Sequence, residues 1–138
     1  CPEPEEDRGV LALLRTAATV DDDELDRELR LAPHLVKSEL QLGAPIRVLP
    51  AGRLSTHYLD RLDDLGVPLW HLMVGPNPLE LVIARVKEEL TPDAIFLDCR
   101  TGLSGLSASA LFHSADIVAC FVPVSKQSLD GLEIFFKP

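Results

Sequence analysis

No apolar run in the sequence approaches the roughly 20 residues that a bilayer-spanning helix needs. The opening Cys1-Pro2-Glu3-Pro4-Glu5-Glu6 has neither the basic start nor the apolar stretch of a secretory signal. Cysteine is scarce: Cys1, Cys99 and Cys120 are odd in number and show no paired spacing. That excludes a disulfide framework and suits a reducing, cytoplasmic compartment. Positive charge is also short, with 13 Lys and Arg against 22 Asp and Glu and a formal net charge of -9. The average field repels a phosphate backbone and an anionic bilayer, which argues against direct nucleic-acid binding and against membrane docking.

Several site chemistries are missing as well. Asp21-Asp22-Asp23-Glu24 lacks the glycine and the spaced oxygen ligands of a calcium loop, and reads as the start of a helix. Cys99, Cys120, His71 and His113 include no ligand pair at zinc spacing. Gly102-Leu103-Ser104-Gly105 sits where a nucleophile elbow could, but Leu106 stands where that motif needs its second glycine. His113 and Asp116 also follow in the wrong chain order for that hydrolase fold. Ser104 reads as a helix cap. His34 and His57 read as surface or cap positions, and Trp70 and Met73 as packing residues.

What is present suffices for one hydrophobic core: 138 residues, 46% of them hydrophobic. The whole of 1–138 reads as part of a single domain, with residues 1–8 an acidic, Pro-rich lead-in. The chain opens without Met and closes on an apolar helical pattern at Phe135-Phe136-Lys137-Pro138, as expected of a piece of something larger. Val10, Leu11, Leu13 and Leu14 predict a short helix, and Ala32 to Leu42 stays open in type. Ile46 to Pro50 predicts a strand. Thr56 to Leu65 predicts a helix capped by Thr56 and closed by Gly66. Asn77-Pro78 then predicts a helix start, with Leu79, Val82, Ile83, Val86 and Leu90 on one side. Leu103 to Ser114 and Ser125 to Lys137 predict two further helices.

Two apolar runs, Ala94 to Leu97 and Ile117 to Val122, are continuous rather than alternating, the pattern of strands covered on both faces. Strand, helix, strand with a crossover of this length implies a right-handed parallel connection. The expected fold class is therefore α/β, an open doubly wound and mainly parallel sheet, with Cys99 and Cys120 small apolar residues in or beside its strands. Ligands of such sheets lie at the carboxyl ends of strands, here Pro50 to Arg53, Asp98 to Gly102 and Pro123 to Gln127.

Asp98 ends one of these runs and Gly102 follows four residues later. A strand that delivers a carboxylate to a loop, with a glycine whose N–H can approach closely, is a way to hold Mg²⁺ and sense a terminal phosphate. The same residues could instead cap the next helix and satisfy a turn.

The segment Pro92-Asp93-Ala94-Ile95-Phe96-Leu97-Asp98-Cys99-Arg100-Thr101-Gly102-Leu103-Ser104 resembles the Walker B and switch II text of ParA/MinD-type P-loop ATPases, in the variant group whose phosphate loop reads KGGVGR. Ser114 to Val124 is similar to the family's next strand, and Ser125 to Leu132 to the loop and helix start after it. Ile46 to Gly52, with Tyr58-Leu59 beyond, is similar to an upstream strand and helix. The resemblance runs from about Gly9 to the end.

It implies a P-loop NTPase-like domain that binds ATP and Mg²⁺ when complete. Asp98 would be the carboxylate that orders Mg²⁺, through a water, and Gly102 the switch glycine that reaches the terminal phosphate. Arg100 and Thr101 hold variable switch positions. Arg100 could pair with a phosphate or a partner carboxylate, or with a carboxylate at the surface. A nucleotide-dependent homodimer, or other domains of the same protein, are the implied partners. One departure is large: no Gly-Lys-Ser or Gly-Lys-Thr occurs anywhere in the sequence, so a phosphate cradle would have to be supplied upstream of Cys1. The isolated chain is therefore expected to be inactive. The competing reading is a non-catalytic regulatory or scaffolding module of a larger protein.

Overall fold

The computed structural model describes residues 8–37, 46–52, 56–65, 76–99 and 105–136. In chain order these form helices α1 (Val10–Thr19) and α2 (Asp22–Glu28), a 3₁₀ turn at Ala32–His34, and strands β1 (Val36–Lys37) and β2 (Arg47–Val48). Helices α3 (Tyr58–Asp63), α4 (Pro78–Leu90) and α5 (Gly105–Ser109) follow; α5 runs on into a π-helical turn, Ala110–Ser114, and α6 (Lys126–Phe136) is last.

The core is built by α1 and α4. In α1, Val10, Leu13, Leu14 and Ala17 recur at the i, i+3, i+4, i+7 spacing that puts them on one face. Leu13, at 1% exposure, and Leu14 are almost completely buried. Leu79, Val82 and Val86 of α4 join the same cluster, as do Leu29 and Leu31 after α2, Leu65 after α3 and Ala110 of the π turn. Each fully buried leucine stabilises the fold by about 1.5–3 kcal/mol before conformational entropy is subtracted.

Local sequence sets the ends of α4. The Asn77 side chain accepts from the N–H groups of Leu79, at 3.0 Å, and Glu80, at 3.1 Å. Glu80 Oε2 reaches back to accept from the Asn77 N–H at 2.8 Å, which completes a capping box. Pro78 at the first helical position needs no amide partner. At the other end Thr91 carries φ 42°, the left-handed conformation usually given to glycine. Arg85 ties this helix to α2: its guanidinium lies 2.5 Å from Asp26 and 2.9 Å from Glu88.

The start of α1 is closed by the rest of the chain. The N–H groups of Gly9, Val10 and Leu11 donate to His34 Nδ1 (3.0 Å), Pro50 O (2.7 Å) and Ala51 O (3.0 Å). Gly9 has φ 106°, and a Cβ there would stand 2.4 Å from the Pro50 carbonyl oxygen. Only glycine permits this approach.

The expected open parallel sheet is not the architecture. Among the described residues the only ladder is antiparallel, pairing Val36 with Val48 and Lys37 with Arg47. The strand expected over Ile46 to Pro50 shrinks to its two residues in β2, both exposed. Ala94 to Leu97 and Ile117 to Val122 form no strand. Phe96 is 93% exposed and Phe121 95%, and Ile117 and Val124 are also bare. The inference failed because unbroken apolarity says that a segment favours cover and not that cover exists. A strand needs a neighbour for its backbone groups and layers for its two faces. Neither is supplied to these segments by the described residues.

Helix expectations fared better, with changes at the caps. Asp21 precedes α2, but its side chain makes no capping hydrogen bond; its carbonyl accepts from Glu24 and Leu25 instead. His57, rather than Thr56, stands at the N-cap of α3. Ser125 opens α6, its Oγ accepting from the Ser128 N–H at 3.2 Å. Trp70, His71, Met73 and Ser104 lie outside the described residues.

Candidate functional site

Asp98 ends an irregular segment that leaves α4 through Thr91 and Pro92. Its carboxylate is exposed and accepts no hydrogen bond from any described residue. Its one resolved electrostatic effect falls on its neighbour: the half-buried Cys99 thiol is held above its ordinary pKa, first by desolvation and then by the negative charge of Asp98. Arg100, Thr101 and Gly102, the other residues assigned to this site, lie outside the described residues.

No described groups of three or more His, Cys, Asp or Glu converge as metal ligands. A single carboxylate with water around it fits an outer-sphere contact to a hydrated Mg²⁺, which keeps several of its waters and needs few protein ligands. It does not fit a closed, all-protein cation cage. For the phosphates of ATP the fit fails. The sequence holds no Gly-Lys-Ser/Thr loop, and the α1 start, whose leading amides are spent on His34, Pro50 and Ala51, offers no free N–H cradle there.

The remaining chemically capable side chains are dispersed. His34 serves as an acceptor for the Gly9 amide, a cap-like role consistent with its reading from sequence. His57 is exposed and lies 3.4 Å from Asp60. His113 and Asp116 are exposed near the π turn and assemble no triad with a described serine. Cys120 is exposed, not buried in a strand as expected, and both it and Cys99 are free thiols.

Sequence reasoning missed two features. The His34 Nδ1 contact to Gly9 spans 25 residues, beyond what a local pattern can signal. The π turn Ala110–Ser114 leaves the hydroxyls of Ser109 and Ser114 buried without a hydrogen-bond partner among the described residues. No local sequence signal marked the π turn, whose residues Ala110-Leu111-Phe112-His113-Ser114 are ordinary for a helix.

No family model, curated protein or solved structure matches this chain. The carboxylate at Asp98 and the sequence around it are thus the grounds for a functional reading. No helix among the described residues is long and apolar enough to cross a membrane.

Proposed function

We propose that this chain is a portion of a Mg²⁺-dependent ATPase of the ParA/MinD type, which turns over ATP only when a phosphate loop is supplied from upstream. The observation that carries the reading is Asp98 itself: a solvent-facing carboxylate without a partner among the described residues, placed directly after the apolar run Ala94 to Leu97. A carboxylate so placed is available to a hydrated cation, and the surrounding Asp93 to Gly131 text supports the same assignment. Asp98 would orient the water shell of Mg²⁺. Gly102 would approach the terminal phosphate, with Arg100 and Thr101 beside it. When bound, the metal neutralises phosphate charge. A cytoplasmic setting agrees with the free thiols of Cys99 and Cys120, and a nucleotide-dependent homodimer or other domains of the same protein are the proposed partners.

Calorimetric titration of the 138-residue chain with ATP and Mg²⁺ should give no measurable binding, and low-micromolar affinity would refute the requirement for an added loop. In a longer protein that carries such a loop, Asp98→Asn should sharply reduce turnover and leave the melting temperature unchanged. Unchanged turnover would remove Asp98 from the metal side. Collapsed melting would make it a structural residue.

A second reading, a non-catalytic regulatory or scaffolding module, is favoured by the bare side chains of Phe96, Ile117, Phe121 and Val124. The coding sequence upstream of Cys1 separates the two. A glycine-rich lysine loop there supports the ATPase, and its absence supports scaffolding.

A further inference from the structure

We draw no further inference here: the strongest candidate, the exposed apolar surface of residues 94–97 and 117–124, carries none because nothing in the structure shows what covers it.

Discussion

The described residues between Val10 and Leu90 and those between Ala94 and Val124 are both rich in apolar side chains, yet the first set buries most of them and the second largely does not. Leu13 is 1% exposed while Phe121 is 95% exposed. The difference lies in where each finds its backbone partners. A helix satisfies its own amides and can then offer one apolar face to another helix, as α1 and α4 do. An extended apolar segment has no such independence and must borrow both a ladder and two covering layers. Hydrophobicity alone therefore does not decide burial; the source of the hydrogen bonds does.

The largest test of this contrast is a pair of truncations. Leu13→Ala should cost about 2–5 kcal/mol, whereas Phe121→Ala should change stability by no more than about 0.5 kcal/mol. Urea unfolding of the two variants measures both. Equal losses would mean that Phe121 is buried in solution and would erase the distinction between the regions.

A smaller effect is expected at the junction that anchors α1. Gly9→Ala forces a side chain into positive φ and against the Pro50 carbonyl, at an expected cost of about 1–3 kcal/mol. Thermal melting would detect it. A neutral result would mean that the segment around Pro50 can move away freely, and that the first region is looser than its core.

Thr91 should act in the opposite direction. It holds a left-handed conformation that a β-branched residue adopts at a penalty, so Thr91→Gly should stabilise the protein by roughly 1 kcal/mol. A rise in the urea midpoint at constant slope is the expected reading. A fall would show that the Thr91 side chain contributes more than its backbone strain removes.

The smallest effect concerns Cys99, a half-buried member of the second region. Its raised pKa means that the folded chain keeps the thiol proton to higher pH than the unfolded chain does. The unfolded chain then ionises first, so this group's contribution to stability is lost as pH rises through the alkaline thiol range. Alkylation followed by mass spectrometry should modify Cys99 more slowly in the native protein than in urea at the same alkaline pH. Equal rates would place Cys99 with the fully exposed residues of the second region.

Helices were legible where their signals were local. Asn77, Pro78 and Glu80 lie within one turn, and the structure uses all three. The apolar spacing of α1 and α4 likewise announced the faces that meet. Residues 94–97 and 117–122 misled because a continuous apolar run describes what a segment favours, while a sheet depends on neighbours elsewhere in the chain. Of the assigned site, Asp98 is legible as an exposed carboxylate at the end of an apolar run. Its chemistry was not readable further, because one exposed carboxylate does not by itself define a ligand set, and among the described residues no group of His, Cys, Asp or Glu gathers around it.

The closure of α1 by His34, Pro50 and Ala51 has a kinetic consequence. Helices often begin to form from local contacts, but the leading amides of this one take their partners from positions far along the chain. Two long loops must close before those amides are shielded, so the first turn of α1 is expected to be completed late in folding, which pulse-labelling hydrogen exchange would test. In the native protein the Gly9 amide is held by the segment at His34 and the Val10 and Leu11 amides by the segment at Pro50 and Ala51, so each exchanges its hydrogen when its own segment releases. The chain's N-terminal helix thus begins where distant segments finish their work.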